Sequence, residues 1–180
     1  MSRDYPDWIQ PERAAQARRQ IIGSMPVKAM TRVVDLLDMP HAEEDGTDGV
    51  DIEPMNFDVQ FWRDEQRNVR VDCELNGQVP MLCQRSLKRY WQPIRSASSL
   101  VVIESESALS SISEDLEPKV CPDGKLKLME LIEDELILAL PIVPLDPNTE
   151  PVEATEDFEQ QPPEQNEDNP FAALAELRKR

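Results

Sequence analysis

Residues 125–145 read KLKLMELIEDELILALPIVPL and carry the densest amphipathic pattern of the chain. Apolar residues recur at steps of three and four from Leu128 to Leu140, so one side of a helix would be apolar. Pro141 has no backbone N–H and would end the helix, and Pro144 favours an extended exit across the surface. The stretch therefore predicts a central helix that packs on the rest of its domain.

The carboxylates of this helix are interpreted as its solvated side, with a catalytic cluster as the less favoured alternative. Glu133, Asp134 and Glu135 are consecutive in the sequence, so they fan around the helix and do not converge as an acid–base pair or a metal cage requires. Three apolar residues are expected to pack on a sheet: Leu128, Ile132 and Leu136. Two carboxylates are expected to face outwards: Glu130 and Asp134.

The composition favours one acidic domain with tails. The chain has 180 residues and a formal net charge of -17, which argues against non-specific adsorption to nucleic acid or to an anionic membrane and favours a basic partner. No apolar run reaches the length of a membrane span, and the first residues show no signal pattern, so we expect a cytoplasmic protein without membrane contact. The scattered Cys73, Cys83 and Cys121 are expected to be reduced thiols.

The N-terminal part predicts two helices and a loop. A proline followed by alanine and arginine favours a short basic helix over residues 10–22, which Gly23 would end. A second helix is predicted over residues 27–37, although two adjacent valines leave a strand possible. Residues 41–50 mix carboxylates with two glycines and are expected to form a mobile acidic loop.

From Met55 the apolar period changes to two, which predicts half-buried strands. Asn76-Gly77 is the strongest hairpin signal, because both residues accept the positive φ of a tight turn. Pro80, on the returning strand, is expected at an edge or a bulge. The predicted fold is an α+β domain over residues 1–145, in which an antiparallel β-meander, or a partly closed sheet, is packed by the central helix. Four segments are predicted to supply its strands: 55–61, 67–75, 78–85 and 88–104.

The segment from Gln60 to Leu100 is locally positive and carries four aromatic residues. Arginine beside exposed rings suits single-stranded RNA, because guanidiniums meet phosphates while rings stack on unpaired bases. The alternative is that the rings belong to the core and the arginines are solvated, since alternation exposes only one of each neighbouring aromatic pair. The candidate RNA-binding residues are Arg85, Lys88, Arg89, Tyr90 and Trp91, with Arg18 and Arg19 as auxiliaries.

The C-terminal part predicts a tethered helix. Residues 146–169 hold nine carboxylates and no lysine or arginine, so this linker is expected to be disordered. Residues 170–180 predict a short amphipathic helix with a basic end, capped by Asn169 and begun by Pro170. It could dock on its own domain or on a partner. Its candidate docking residues are Phe171, Leu174 and Leu177.

The sequence carries no motif of a known catalytic class. It has no glycine-rich phosphate loop, nucleophile elbow or histidine-containing metal motif. In Cys83-Gln84-Arg85-Ser86, a serine stands where a second cysteine would complete a zinc or redox pair. We therefore expect that the protein has no enzymatic activity and binds no metal or cofactor. Cys83 is interpreted as a strand residue whose thiol faces the core.

Three segments together resemble the bacterial family of large ribosomal RNA subunit accumulation proteins, YceD. They are the Cys83–Ser86 tetrapeptide, residues 131–144 (LIEDELILALPIVP) and residues 169–180 (NPFAALAELRKR). The resemblance implies a cytoplasmic, non-enzymatic factor that 23S ribosomal RNA needs in order to accumulate. The chain departs from the family pattern at three places: Ser86 for a second cysteine, Lys127 for a capping aspartate, and Leu145-Asp146 where a histidine often follows the prolines.

Two functional hypotheses follow. In the first, the protein protects or escorts a precursor of 23S ribosomal RNA, by direct contact or together with a basic ribosomal protein of the large subunit. In the second, it is a protein-interaction module that does not contact RNA and recruits a basic partner through its acidic tail. Both agree with the charge pattern and with the resemblance.

Overall fold

Alternating strand residues and one amphipathic helix build the body of the protein. The computed structural model describes residues 5–39, 52–113 and 115–150. In chain order the elements are β1 (Trp8–Ile9), α1 (Pro11–Gln16), β2 (Gln20–Met25), α2 (Thr31–Val34), β3 (Met55–Arg63), β4 (Val69–Leu82), β5 (Arg89–Ile103), β6 (Glu117–Val120), β7 (Leu126–Lys127) and α3 (Leu128–Ala139). Two 3₁₀ turns, Val27–Ala29 and Glu106–Ser111, lie between them.

The main sheet has the strand order β2-β3-β4-β5-β6. Its first four strands form an antiparallel meander, and β6 runs parallel to β5 after the crossing that holds the second 3₁₀ turn. β1 and β7 form a separate antiparallel pair, which ties the N-terminal region to the start of α3. The predicted α+β class, with a mostly antiparallel sheet that does not close, is confirmed.

The core lies between α3 and one face of the sheet, here called the inner face. Leu128, Ile132 and Leu136 are fully buried, as their helical spacing predicts. The sheet contributes alternate residues of its strands, including Val59 and Phe61 of β3. The apolar residues that alternate along the strands and those that recur every three or four positions along α3 therefore pack together in one layer.

The hairpin predicted at Asn76-Gly77 is wrong. β4 runs through both residues, and the chain reverses at residues 83–88 instead. Gly77 does not adopt positive φ; within the described ranges Gly124 is the glycine that does. A Cβ at position 77 would lie 2.8 Å from the sulfur of buried Met55, so glycine serves close packing there and not a turn.

The basic helix predicted over residues 10–22 is also too long. α1 ends at Gln16, Arg18 takes a φ of 47°, and the chain then enters strand β2. β-branched residues at the start of β2 favour a strand over a helix. Gly23 ends no helix: it lies opposite Phe57, whose ring would be 2.7 Å from a Cβ there. The second predicted helix is split into the first 3₁₀ turn and the single turn α2.

Pro80 lies where β4 has a partner on one side. The β3 pairing ends at Asn76, whereas the β5 pairing continues to Leu82. The missing N–H of proline therefore breaks no ladder on the open side, and its carbonyl accepts a hydrogen bond from the backbone N–H of Asp38 at 3.1 Å. The edge position expected for Pro80 is confirmed.

Some predicted segments lie outside the described residues. These are the acidic loop 41–50, the larger part of the linker 146–169, and the terminal helix with Phe171, Leu174 and Leu177. The described residues up to Thr149 belong to one compact unit. Within the described ranges no helix has the length and apolarity that a membrane crossing requires.

Candidate nucleic-acid interface

The outer face of β5 carries the exposed part of the predicted RNA-binding set. Arg89, Trp91 and Arg95 lie on the same face, because they are separated by even numbers of residues in a strand whose register with β4 is unbroken. Trp91 is 37% exposed, and the arginines flank it. Lys88 precedes the strand and is exposed. We call Lys88, Arg89, Trp91 and Arg95 the hairpin face.

Tyr90 points the other way. It is buried on the inner face, its hydroxyl donates to Gln92 Oε1 at 2.8 Å, and burial raises its pKa. Its ring therefore has no open side on which a base could stack, and Tyr90 does not belong to the hairpin face. The expectation that alternation exposes one aromatic of each neighbouring pair is confirmed, since Phe61 is also buried while Trp62 is partly exposed.

Two predicted arginines already hold intramolecular partners. The Arg85 guanidinium donates to the carbonyl of Thr149 at 2.6 Å, and Arg89 Nε pairs with Asp38 Oδ2 at 2.7 Å. Both side chains are partly buried. Arg89 keeps its position on the outer face, whereas Arg85 is directed to the chain that follows α3. The ion pair fixes the orientation of the Arg89 guanidinium.

Arg18 and Arg19 lie at the opposite end of the sheet. Both are exposed, and the Arg19 carbonyl accepts a hydrogen bond from Phe61 N at 2.9 Å. Phe61 pairs with Val71, and the hairpin is reached only at the far end of β4, about 35 Å away at the usual rise per strand residue. The structure therefore does not bring the two auxiliary arginines to the hairpin face.

Residues 144–149, here called the strap, cross the hairpin turn after the proline exit from α3. The backbone N–H of Gln84 donates to Pro144 O at 2.9 Å, and the backbone N–H of Asp146 lies 3.3 Å from the Cys83 sulfur. Together with the bond between Arg85 and Thr149, these contacts seat the strap on the turn. The predicted extended exit thus fixes where the acidic part of the chain begins.

Cys83 lies beneath the strap, where hydrogen-bond donors of Ser86, Arg85 and Asp146 face its sulfur. The Ser86 hydroxyl and the Asp146 N–H lower the pKa of its thiol to about 6. That buried hydroxyl makes no hydrogen bond of normal geometry among the described residues, which leaves it available to the sulfur. The thiol is fully buried, and all three cysteines are free, as predicted. Burial raises the pKa of Cys73 to about 12, so the two thiols differ in charge near neutrality.

The carboxylates of α3 differ from the prediction in their exposure. Glu133 and Glu135 are buried and are not part of a solvated side. Glu133 accepts a hydrogen bond from Arg32 N at 3.2 Å, whereas burial raises the pKa of Glu135. Asp134, only partly exposed, binds Lys119 and Arg32; burial alone would raise its pKa, but these two cations outweigh burial and lower it.

The α3 carboxylates therefore serve separate partners and do not converge, as their consecutive positions predict. Within the residues that the structure describes, no group of three or more His, Cys, Asp or Glu could hold a metal ion. A different cluster was missed by sequence reasoning: Trp62 Nε1 donates to Asp72 Oδ2 at 2.6 Å, and Arg70 lies 5.8 Å from the Trp62 ring centre. These contacts engage Trp62 within the sheet, so Trp91 is the more accessible of the two rings.

Arg95 was also not selected from the sequence. The signal was available, because Arg95 follows Arg89 and Trp91 by even steps in the same predicted strand. In the structure Arg95 lies opposite Asn76 of β4.

Comparison with known proteins places most of this region within a known protein family. The family model described as large ribosomal RNA subunit accumulation protein YceD matches residues 71–178, which is more than half of the chain and includes the hairpin face, the strap and α3. A protein of the same description from Haemophilus influenzae is 30% identical over 126 residues, which cover 68% of this chain and 72% of that protein. No solved structure matches the chain. The chain belongs to the YceD family of large ribosomal RNA subunit accumulation proteins.

Proposed function

We propose that this protein supports the accumulation of large-subunit ribosomal RNA, 23S RNA or its precursor, by binding an unpaired segment of that RNA on the hairpin face. Membership of the family of large ribosomal RNA subunit accumulation proteins supports both the type of RNA and the outcome, its accumulation. The observation that carries the contact is the alignment of Arg89, Trp91 and Arg95 on one open face of β5.

The spacing on that face suits a single strand. Residues two apart on a β-strand stand about 7 Å from each other along one face, so Trp91 lies close to Arg89 and farther from Arg95. One base can stack on the indole while a phosphate further along the strand meets the exposed guanidinium of Arg95. Lys88 extends the positive charge beyond the strand. The local charge opposes the net charge of -17, so binding depends on close contact and not on long-range attraction.

The proposed role is non-enzymatic. Cys83, the one thiol with a lowered pKa, is buried under the strap. The acidic residues of α3 are directed to different partners, which supports a structural role for them. The chemistry proposed for the hairpin face is therefore stacking and phosphate neutralisation, which hold an RNA segment without breaking a bond in it.

Crosslinking in cells, followed by sequencing of the attached RNA, tests this function. We expect enrichment of large-subunit ribosomal RNA fragments with the wild-type protein and its loss in a Trp91→Ala, Arg95→Ala double variant. Lys28→Ala removes an exposed cation from the 3₁₀ turn outside the hairpin face and is the matched control.

Binding of a short unpaired oligoribonucleotide in a salt series gives the quantitative form of the test. Trp91→Ala should cost about 1–3 kcal/mol of binding free energy, since it removes one stacked base. Arg95→Ala should lower the salt slope by about one phosphate contact. The proposal fails if no large-subunit RNA is enriched, or if both variants bind as the Lys28→Ala control does.

A further inference from the structure

A cleft lies at the N-terminal end of α3, between the β1–β7 pair and the turn that precedes β7. It has a volume of about 640 Å³ and is lined by Trp8, three lysines and two carboxylates. We call it the Trp8 cleft. The lysines and carboxylates are Lys119, Lys125, Lys127, Asp123 and Glu130.

Trp8 is the most exposed tryptophan of the chain within the described ranges. Its side chain is 57% exposed, although it sits in a strand pair. Trp8 is directly opposite Lys127, whose ammonium lies 5.9 Å from the ring centre. The ring is held by the β1–β7 pair with more than half of its surface in water, so it is accessible to a planar ligand that could stack on it. Lys127 already makes a cation–π contact with this ring.

The cations of the cleft are available to different degrees. Lys119 binds Asp134, and Lys127 binds Glu130 at 3.0 Å. Lys125 is exposed and forms no ion pair with any other described residue. Lysines outnumber carboxylates in the lining by one, in a chain whose net charge is strongly negative. Lys125 can therefore neutralise a phosphate without breaking an ion pair to another residue that the structure describes.

The start of α3 adds to the positive potential of the cleft. The helix begins at Leu128, directly after Lys127, and no side chain caps it, while the N–H of Leu128 donates to the carbonyl of Asp7 at 3.0 Å and Glu130 lies in the first turn. The remaining N–H groups of the first turn contribute to the potential. The backbone N–H groups of a helix N-terminus attract anions, and the twelve residues of α3 give a full dipole. This terminus by itself would not define a site, but it lies beside the exposed Trp8 ring and the exposed Lys125.

We propose that the Trp8 cleft binds one unpaired nucleotide, with the base stacked on Trp8 and the phosphate held by Lys125 near the start of α3. The inference deepens the proposed function and rests on it in one respect, that the natural ligand is RNA. The cleft and the hairpin turn are reached from opposite ends of α3, which is about 18 Å long.

Binding of fluorescent oligoadenylate to the full-length protein tests the cleft. We expect Trp8→Ala to weaken binding about tenfold or more and Trp8→Phe to weaken it less, because the stacking surface is partly kept. Lys125→Ala should weaken binding severalfold and lower the salt slope by about one. Lys28→Ala, an exposed lysine outside the cleft, should leave binding unchanged. Ultraviolet crosslinking should attach the oligonucleotide to the peptide that contains Trp8.

Comparison with Trp91→Ala separates this inference from the proposed function. If Trp91→Ala weakens binding while Trp8→Ala and Lys125→Ala do not, the cleft proposal is overturned and the hairpin face stands. If the Trp8 and Lys125 variants weaken binding while Trp91→Ala does not, the cleft stands and the hairpin face fails. Absence of binding at low salt overturns both. Thermal unfolding verifies that each variant folds, and Lys125→Glu replaces any Trp8 variant that does not.

Discussion

At the scale of single residues, the structure separates chemistry that looks uniform in the sequence. Three scattered cysteines are equivalent by composition, yet donors around Cys83 stabilise its thiolate while burial suppresses that of Cys73. The difference arises from the strap, which reaches Cys83 from a distant part of the chain. Likewise, adjacent Tyr90 and Trp91 end on opposite faces of one strand. Residue type alone therefore does not decide whether a side chain can meet a ligand.

The lowered pKa of Cys83 makes stability depend on pH. The folded protein holds the thiol proton less tightly than the unfolded chain, so the contribution of Cys83 is fully present above its ordinary pKa of 9.0 and is lost as pH falls towards 6. The unfolding free energy of the wild type relative to Cys83→Ser should therefore increase from pH 6 to pH 9. Urea unfolding at several pH values measures this difference.

The thiolate absorbance in the ultraviolet gives an independent reading of the same group. It should rise near pH 6 in the wild type and disappear in Cys83→Ser. Cys73→Ser is the control, because the Cys73 thiol, with its pKa raised to about 12, is protonated throughout this range. A wild-type transition near pH 9 would contradict the arrangement of donors described around Cys83.

At the scale of elements, helix α3 shows how far a local pattern reaches. Its apolar positions, its lack of a capping side chain and its end before Pro141 follow from residues 125–145. The burial of Glu133 and Glu135 does not, because it depends on where α2 and β5 lie. Periodicity predicted the apolar side of the helix correctly, and it treated the rest of the circumference as solvent, which only tertiary packing can decide.

Two leucines of α3 provide a matched pair of substitutions. Leu136 is fully buried, whereas Leu138, on the same helix, is 71% exposed. Leu136→Asp should lower the unfolding free energy by about 3 kcal/mol or more, because it buries a carboxylate without a partner. Leu138→Asp should change it by less than about 1 kcal/mol. Denaturant unfolding of the two variants measures the contrast, and equal losses would show that α3 is packed differently.

At the scale of the whole molecule, charge is divided along the chain. The hairpin segment is positive, whereas residues 146–169 hold nine carboxylates. The strap brings the first of these, Asp146, to the hairpin turn. If the hairpin face binds RNA as proposed, the negative charge of this segment should weaken that binding at low salt through like-charge repulsion. The sequence contains both kinds of charge, and the strap places Asp146 beside the hairpin turn.

Deletion of residues 151–180 tests this effect and leaves the strap intact. The deletion removes eight carboxylates and three basic residues, so RNA binding should become a few times tighter at low salt and should be unchanged at high salt, where charges are screened. Deletion of residues 170–180 alone is the control, since it keeps the acidic linker. Loss of RNA or ribosome association with either deletion would support the alternative, a protein-interaction module that docks through its tail.

Much of the fold was predictable because its signals are local. Helical steps that end before Pro141 define α3, period two defines the strands, and composition defines the acidic and basic segments. These patterns determined the α+β class and located the basic hairpin segment. The family resemblance rested on the same kind of information, three short segments in order. Among the residues of the hairpin face, Lys88, Arg89 and Trp91 were chosen in this way.

Contacts between distant residues decided the rest. Asn76-Gly77 has the residue types of a tight turn. In the structure, however, Met55 packs so closely on Gly77 that no side chain fits there, and both residues pair with β5. Strand β4 therefore continues through them. The true turn therefore lies at residues 83–88, and contacts from the strap bring Asp146 to Cys83 at that turn. The sequence determined the type and the apolar side of α3 and of the strands after Met55, because these follow from neighbours a few positions apart, whereas β2 lies partly within a segment predicted as helix. Only the tertiary structure decided which of them meet, because that depends on packing between residues far apart in the chain.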